Sequence, residues 1–514
     1  MSTTAAPPPA GARATFDRHL IGVSIVVVLG TVMSILDTTI VNVAIDTLSR
    51  EFDTGLATIQ WVATGYMLAL ATVIPLTGWA ADRFGTKRLY MISIGLFLAG
   101  SALAGAAWSA ESLIVFRVLQ GLGGGMIMPA GMTILSQAAG RDRIGRVMSV
   151  VGVPMLMGPV IGPVLGGWLV DDVSWRWIFY VNLPIGAIAL LAALRFLPRD
   201  KPSPHERLDW LGLLLLSPGL AAFVYGLAET ASHGGIGSAS ALVPMLIGLA
   251  LIGTFAWHAL RSAWPLIDLR LMRHGTMTAS SATTFLLAMG FFATMFLLPL
   301  YYQVVRGQPA LHAGLLLAPQ GLGAALMMPI AGKLSDRNGP GKVVLSGLCL
   351  LVIGIGLFTQ VSADTSFWLM GATQFVLGLG MGSTMMPAMT AAYQSLEHQQ
   401  IARATTALNI IQRVGASIGT ALLSVVLSHE LASQLGSRAG NGLAAAQGAP
   451  AAAREAVAPK IADAFGHTFW WSAAIVLLAF LPALMLPRTP PAPAAAPTGE
   501  AAGAEAEAPV LAEV

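Results

Sequence analysis

The sequence predicts an all-α membrane protein with fourteen transmembrane helices, arranged as two six-helix bundles plus two inserted central helices. Three observations carry this prediction. First, the 514 residues are 55% apolar and only 10% charged, whereas a soluble domain carries about 25% charged residues. Second, apolar stretches recur along the whole chain. Third, a short polar motif occurs twice, so the chain has two related halves.

Each apolar stretch is long enough for a spanning helix of about 20 residues. A segment this long and apolar must be helical in lipid, because its backbone groups find no partner in the hydrocarbon. We expect spans near residues 20–45, 58–80, 89–108, 112–136, 145–170, 177–197, 208–229, 241–260, 276–304, 312–334, 342–361, 367–392, 402–428 and 467–487.

The distribution of basic residues predicts the orientation of these spans. With the N-terminus inside, the cytoplasmic segments carry 20 Lys and Arg residues, the outer segments carry 6, and two lie within spans, which accounts for all 28. Cytoplasmic loops carry such an excess of basic residues. We therefore expect both termini in the cytoplasm and an even number of spans.

The repeated motif divides the chain. Residues Gly78–Gly85 and Gly332–Gly339 both read G-x-x-x-D-R-x-G, and each copy ends a span on the cytoplasmic side. Such copies indicate homologous halves related by an axis along the membrane normal. We predict a cytoplasmic N-terminal tail (1–19), an N-terminal six-helix bundle (20–198), a linker with two extra transmembrane helices (199–265), a C-terminal six-helix bundle (266–487) with an extended outer loop (429–466), and a disordered cytoplasmic tail (488–514).

The fifth span contains an unusual run, GPVIGPVLGG. Three glycines recur every four residues and form one bare helix face, where a neighbouring helix can pack closely. The two prolines remove backbone donors and bend the same helix. We expect a bent helix pressed against a partner; its residues are Gly158, Pro159, Gly162, Pro163, Gly166 and Gly167.

Several motifs together resemble the major facilitator superfamily, specifically its 14-span drug:proton antiporter branch of the EmrB/QacA type. The resemblance implies a major facilitator fold and proton-driven efflux, and it identifies the Gly-Pro run as similar to the antiporter motif. Asp46 departs from it, because the family often has proline there. The resemblance rests on Leu36–Ala44, Gln60–Tyr66, Gly78–Arg88, Arg117–Gly121, Gly152–Gly167 and Trp175–Gly186.

Two charged residues inside spans are the first candidates for function. Asp37 lies in span one, where a carboxylate costs about 2.5–3.5 kcal/mol on insertion scales. It could take up and release a proton, or pair with a cationic compound. Arg117 lies in span four, with Gln120 one turn on, and the resemblance implicates this arginine in proton coupling. We predict an Asp37–Arg117 pair; the alternative is a purely structural ion pair, or an aspartate that only joins helices.

Other polar residues in or near spans are secondary candidates for proton coupling or substrate contact. Asn42 belongs to the first-span motif. Asn409 and Arg413 lie four apart on span thirteen and could present a polar face to a central cavity. Glu229 lies at the outer end of span seven, where we expect a loop residue rather than a residue with a role in transport.

The repeated motif is also a candidate cytoplasmic latch. An Asp–Arg pair beside a helix end can join two helices in one conformation and release them in another. A positive-inside loop without further function is the alternative. The residues concerned are Gly78, Asp82, Arg83, Gly85 and Arg88, with Asp336 and Arg337 in the second copy.

Other function classes find little support. We see no Walker A motif, metal-ligand cluster or Rossmann glycine pattern, so we predict no cofactor, no metal and no enzymatic activity. A G-x-S-x-G match at Gly415–Gly419 lies within a span, where small-residue packing explains it. The net charge of +3 is spread over many loops and does not indicate nucleic-acid binding.

We therefore expect a multi-pass protein of the inner (cytoplasmic) membrane that exports hydrophobic, cationic, drug-like compounds in exchange for protons by alternating access. The alternatives are a proton-coupled exporter of one metabolite or antibiotic, an importer, and a membrane enzyme or sensor. The expected partners are small hydrophobic compounds, protons and the lipid bilayer. A periplasmic adaptor and an outer-membrane channel stay open as further partners.

Overall fold

The computed structural model describes residues 18–139, 147, 158, 161–162, 164–200, 207–233, 238–394, 396, 400–435 and 451–489. Within these ranges every regular element is a helix. The predicted tails, most of the fifth span with Pro159 and Pro163, and the middle of the predicted outer loop lie outside the described residues, as does the side chain of Asn42.

The first part of the chain contains eight described α-helices and one π-helical turn. The turn, Leu169–Val173, follows helical residues 164–168. The helices are α1 (Arg18–Glu51), α2 (Leu56–Ile59), α3 (Trp61–Val73), α4 (Leu76–Phe84), α5 (Thr86–Gly105), α6 (Ala110–Ala139), α7 (Trp177–Tyr180) and α8 (Asn182–Phe196).

The rest of the chain contains ten described α-helices and a 3-10 turn at Leu269–Arg273. The helices are α9 (Trp210–His233), α10 (Ala239–Arg261), α11 (Gly275–Val304), α12 (Ala310–Leu316), α13 (Ala318–Asn338), α14 (Pro340–Phe358), α15 (Phe367–Gln394), α16 (Ile401–Leu435), α17 (Ala451–Leu478) and α18 (Phe480–Ala483).

Twelve helical segments of the described residues are long and apolar enough to cross a membrane, and the count is 13 if one bent pair forms a single span. That pair, α3 and α4, occupies the predicted second span and bends by 56°. The break falls at Ile74 and Pro75, where proline lacks the N–H that would continue the helix. The observed architecture is therefore all-helical, and it matches the predicted spans that the structure describes.

Two groups of helices form the body of the protein. In the first group α6 packs against α1, α3 and α5, while α8 packs against α1 and α5. In the second group α15 packs against α11, α13 and α14, while α17 packs against α11, α14 and α16. Large apolar side chains such as Phe97, Phe291 and Phe465 are fully buried in the cores of these groups.

The two extra helices, α9 and α10, pair with each other beside the junction of the groups. Helix α9 contacts α3 of the first group and α16 of the second. At one end of the pair, Asp209 accepts a hydrogen bond from the Leu266 N–H, and its other oxygen lies 2.9 Å from Nε2 of His258. Helix α10 lies largely outside the two helix groups, and side chains such as Leu246, Ile247 and Trp257 are exposed on its surface. Such a face is suited to lipid.

Helices extend into both ends of the predicted outer loop over 429–466, a segment in which the sequence also allows a surface helix. Helix α16 continues to Leu435, and α17 already begins at Ala451. The segment is rich in alanine, which has the highest intrinsic helix propensity, so helices extend beyond the apolar stretches. A helical backbone at both ends of the segment is compatible with a position outside the apolar spans, because a loop between spans can contain helical turns.

Candidate functional site

A buried carboxylate lies at the centre of the first helix group. Asp37 on α1 is completely buried. Its Oδ2 accepts a hydrogen bond from Arg117 of α6 at 2.6 Å. Its Oδ1 accepts from Gln120 Nε2 at 2.8 Å and from Asn182 Nδ2 at 3.1 Å. The charge of Asp37 is therefore balanced by one guanidinium and two amides, contributed by α6 and α8.

Arg117 is 1% exposed and makes contacts beyond Asp37. Its Nη1 also donates to Gln120 Oε1 at 2.7 Å, and its Nε donates to the Val62 carbonyl at 3.2 Å. The guanidinium carbon lies 4.0 Å from the ring centroid of Tyr66, within cation–π range. An arginine stays charged in lipid, so it needs several such partners at once.

Glycines bring α6 close enough to its neighbours for these contacts. The sequence directly after Gln120 is Gly-Leu-Gly-Gly-Gly. A Cβ at Gly121 would lie 2.7 Å from the Tyr66 carbonyl oxygen of α3, and one at Gly123 would lie 2.7 Å from the Ser93 carbonyl oxygen of α5. Side chains at these positions would push α6 outward and separate Arg117 from Val62.

Asn182 is a member of the cluster that sequence reasoning did not single out. It starts α8, is completely buried, and donates to Ser101 Oγ at 3.1 Å as well as to Asp37. Ser101 in turn donates to the Phe179 carbonyl at 2.9 Å. An asparagine in the motif Trp175–Gly186, next to an apolar span, was the available signal.

The cluster allows a simple protonation switch. A proton added to Asp37 removes its negative charge and ends the ion pair with Arg117. The guanidinium would keep Gln120, the Val62 carbonyl and the Tyr66 ring as partners. Leaving a buried charge without its counter-ion costs about 3–5 kcal/mol, so protonation would favour a rearrangement of α1 relative to α6.

The first copy of the repeated motif joins the two helix groups. Asp82 on α4 accepts from Arg403 Nε of α16 at 3.1 Å, with both side chains 21% exposed. Gly78 lies one turn earlier, where an added Cβ would lie 3.2 Å from Thr406 Oγ1 and 3.4 Å from the Arg403 Cα. The motif thus supplies both a bare face and a counter-ion. Sequence reasoning did not identify Arg403.

The residues directly after the first copy, at the start of α5, contact the end of α8 and the segment that follows it. Asp200 accepts from the backbone N–H groups of Lys87 and Arg88, at 2.8 and 3.0 Å, and so caps the start of α5. Lys87 Nζ donates to the carbonyls of Leu194 and Leu197. Gly85 has φ +92°, a conformation that favours glycine. Arg83, in the last turn of α4, is half-buried, and Arg88 is exposed.

The second copy repeats this turn against the last described helix. Gly339 has φ +87°, close to the value at Gly85. The N–H of Gly341 donates to the Pro487 carbonyl at 2.8 Å, in the segment that follows α18. Asp336 and Arg337 lie in the last turn of α13. The two copies therefore share a backbone geometry, as the internal repeat predicts.

The glycine face of the Gly-Pro run contacts α1, the helix that carries Asp37. A Cβ on Gly158, Gly162 or Gly166 would meet Ile35, Thr39 or Ile40, respectively. The Thr39 hydroxyl also lies 3.5 Å from the Gly158 carbonyl oxygen. A Cβ on Gly167 would meet nothing within 4 Å. The predicted close packing is present at the described positions, and its partner is α1.

The remaining candidates lie on α16 and α9, two helices that contribute no side chain to the Asp37 cluster. Asn409, Gln412 and Arg413 lie on α16; Asn409 donates to its own helix at the Thr405 carbonyl, 2.9 Å away. Gln412 Nε2 lies 3.7 Å from the sulfur of Met385. Glu229 is half-buried and lies within α9, so the expectation that it belongs to a loop was wrong.

A small apolar cavity lies in the second helix group, between α11 and α15. Met381 and Met385 line it together with Leu287 and Phe292. Methionine side chains are flexible and polarisable, which suits contact with varied apolar compounds, and they also fill gaps in helix cores. Among the described residues, no group of three or more His, Cys, Asp or Glu side chains could hold a metal ion.

Comparison with known proteins places this architecture. Residues 27–420 match the family model of the Major Facilitator Superfamily. The chain is 47% identical over 428 residues to a "Multidrug resistance protein B homolog" of Mycobacterium tuberculosis strain H37Rv, covering 82% of this chain and 79% of the relative. It is 30% identical over 408 residues to the "Multidrug export protein EmrB" of Haemophilus influenzae, covering 78% and 79%.

A solved structure shares the fold at low identity. The proton:xylose symporter XylE superposes with a TM-score of 0.58 and 13% identity, covering 90% of this chain and 94% of that one. The family match, the relatives and the membrane-spanning helices agree with one another. The chain belongs to the major facilitator superfamily, in its EmrB/QacA-type drug efflux branch, and is a multi-pass cell membrane transporter rather than an enzyme.

Proposed function

We propose that this transporter exports hydrophobic, drug-like compounds in exchange for protons, with the Asp37–Arg117 cluster as the coupling site. We also propose fourteen spans, in two six-helix bundles with α9 and α10 inserted, and both termini in the cytoplasm. The two relatives described above carry the words "multidrug resistance" and "multidrug export" in their names. The observation that carries the proposal is a completely buried ion pair whose acid is the only described carboxylate facing Arg117.

Exchange for one proton is energetically adequate. Export against a hundredfold gradient costs about 2.7 kcal/mol. One charge crossing 100 mV supplies about 2.3 kcal/mol, and a pH difference adds to it. The proton must reach Asp37 from outside and leave to the inside, so the cluster must become accessible to each side in turn.

The latch between α4 and α16 supports alternating access. Gly78, Asp82 and Arg403 join the two helix groups near the ends that the charge distribution assigns to the cytoplasm. We propose that this contact holds the cytoplasmic side closed while the cluster faces outward. Opening to the inside would break the Asp82–Arg403 pair. The close packing of α1 against Gly158, Gly162 and Gly166 would persist during this movement.

Reconstitution into liposomes tests the proposal directly. An imposed proton gradient should drive dye movement against its concentration gradient, and adding substrate should move protons the opposite way. Reversing the gradient separates export from import. Transport by the chain alone would show that neither an adaptor nor an outer-membrane channel is required for turnover. No proton-linked flux of any compound in a broad panel would refute the proposal.

The variant Asp37→Asn tests the coupling site. An amide cannot bind and release a proton in this range, so proton-linked transport should fall at least about tenfold while the yield of folded protein stays similar. Asp463→Asn, which removes an exposed carboxylate of α17, is the matched control and should retain transport. Full proton-linked activity in Asp37→Asn would remove Asp37 from the mechanism.

A further inference from the structure

Arg413 is a charged side chain within a candidate membrane span that the coupling site does not use. It lies in α16, inside the candidate span Ile401–Gln434, and is half-buried. Within the described ranges its guanidinium makes no hydrogen bond or ion pair. By contrast, Arg117 has a carboxylate, an amide, a carbonyl and an aromatic ring around it. A guanidinium in a membrane span normally has such partners.

The packing of α16 shows which way Arg413 faces. Gly415 and Gly419 lie against the backbone of α11, and Ile410, Val414 and Ile418 pack into the cores beside α9. The remaining face carries Thr406, which meets Gly78 of α4. Positions seven apart share one face of a helix. Arg413 therefore lies two turns beyond Thr406 on the strip that faces the first helix group.

Across this junction lies Tyr66, whose ring covers Arg117. Tyr66 and Arg413 are close enough to interact electrostatically. The Tyr66 hydroxyl is completely buried; it lies near Ser34 and Thr38, but its geometry makes no hydrogen bond. Two donors without acceptors thus lie near each other, one from each helix group. A ligand that supplies an acceptor or a negative charge would satisfy both.

The local charge balance favours the same ligand. Asp37 is already occupied by Arg117, Gln120 and Asn182, so a cationic compound would have to displace an arginine to reach it. Arg413 adds a positive charge with no described counter-ion. Like charges repel strongly in surroundings of low dielectric constant. The strip therefore disfavours a cation and attracts an anion.

We propose that Arg413 binds the anionic group of the transported compound, so that the preferred substrates are hydrophobic molecules bearing a sulfonate or carboxylate. This inference rests on the proposed function and replaces the cationic substrates that the sequence led us to expect. Arginine presents a planar fork that pairs with two oxygens at once. The methionine-lined cavity is the site we propose for the apolar body of the substrate. It lies close to Arg413 along α16, because Nε2 of the neighbouring Gln412 is 3.7 Å from the sulfur of Met385, which lines the cavity.

The charge of the substrate also changes the energetics of exchange. When a monoanion leaves and a proton enters, both movements transfer charge in the direction that an inside-negative potential favours. One-for-one exchange then moves two charges. A monovalent cation exchanged for one proton moves none. Dependence of transport on an imposed membrane potential therefore distinguishes the two substrate classes.

Three aromatic probes in proteoliposomes test the proposal. Anilinonaphthalene sulfonate is an anion, phenylnaphthylamine is the same ring system without the sulfonate, and ethidium is a cation. Vesicles of phosphatidylcholine avoid competition from anionic headgroups. We expect wild-type protein to transport the sulfonate faster than phenylnaphthylamine, and with stronger dependence on membrane potential.

Substitutions at Arg413 test whether its guanidinium group recognises the anionic part of the substrate. Arg413→Gln should reduce sulfonate transport about ten- to hundredfold, as expected for loss of a charged hydrogen bond, and leave phenylnaphthylamine transport within about twofold. Arg413→Lys should restore part of the anion transport, because it keeps the charge without the fork. Tyr66→Phe should lower anion transport several-fold. Lys342→Gln, which removes an exposed charge from the start of α14, is the control.

The outcomes separate this inference from the proposed function. Equal loss of all three probes in Arg413→Gln would overturn substrate recognition by Arg413. Faster wild-type transport of ethidium than of the sulfonate would overturn the substrate class while supporting proton-driven export. Transport of none of the probes or of the wider panel would refute the proposed function itself. If Arg413→Gln does not fold, the probe preference of wild type and of Arg413→Lys still decides the question.

Discussion

The two glycines Gly162 and Gly167 offer a sharp test of the seam between the Gly-Pro run and α1. They lie five residues apart in one segment, but only Gly162 faces α1. A Cβ there would overlap the Thr39 hydroxyl, whereas a Cβ on Gly167 meets nothing within 4 Å. The same substitution to alanine therefore probes packing at one position and backbone preference at the other.

We expect Gly162→Ala to destabilise the protein by about 1–3 kcal/mol, the usual cost of overpacking a close contact. Gly167→Ala should be neutral or stabilising by about 0.5–1 kcal/mol, because alanine favours a helix over glycine. Gly162→Leu, with a larger side chain, should also stop or uncouple transport, since α1 carries Asp37.

Thermal unfolding of the purified variants in detergent, together with proton-linked transport in vesicles, measures both effects. The expected order of midpoint temperature is Gly167→Ala at or above wild type, with Gly162→Ala below it. If the two alanine variants unfold at the same temperature and transport alike, the seam does not constrain α1. Normal coupled transport by Gly162→Leu would refute a role for the seam in the transport cycle.

Two further predictions concern contacts that only the structure revealed. Reversing one charge of the partly exposed latch, by Asp82→Arg or Arg403→Asp, should lower transport about five- to tenfold, because a pair of this exposure contributes about 1 kcal/mol. The double exchange restores opposite charges and should recover at least part of the transport. A double exchange no better than either single variant would contradict a direct pair. Asn182→Leu removes one hydrogen bond from the Asp37 carboxylate, worth about 1.5–3 kcal/mol for a charged acceptor. It should lower the rate of proton-linked transport, and a normal rate would show that Asn182 does not influence the coupling site.

The coupling pair illustrates how far residue types alone lead. An aspartate and an arginine inside apolar spans each need a partner, and the chain offers few charged side chains within spans. Asp37 and Arg117 were therefore a natural pair, and the structure places them 2.6 Å apart. Gln120 followed because it lies one turn from Arg117 on the same helix face. Such inferences succeed because lipid makes an unpaired charge expensive.

Asn182 and Arg403 show where this reasoning ends. Asn182 is neutral and starts a helix, so no cost forces a particular partner on it. Arg403 lies 321 residues from Asp82 and resembles many other basic residues near span ends. Periodicity assigns each of them a face on its own helix, but not the helix that this face meets. That choice depends on how the two groups pack.

The amino-acid sequence by itself determined the membrane class, most of the helices, the internal repeat and the need of Asp37 and Arg117 for partners. These follow from the cost of polar groups in lipid and from local periodicity, which act within one or two turns. Only the tertiary structure decided that α8 completes the Asp37 cluster, that α16 closes the latch, that the glycine face packs on α1, and that Arg413 faces the first group without a described partner. These depend on contacts between segments far apart in the chain, where many pairings satisfy the same local rules.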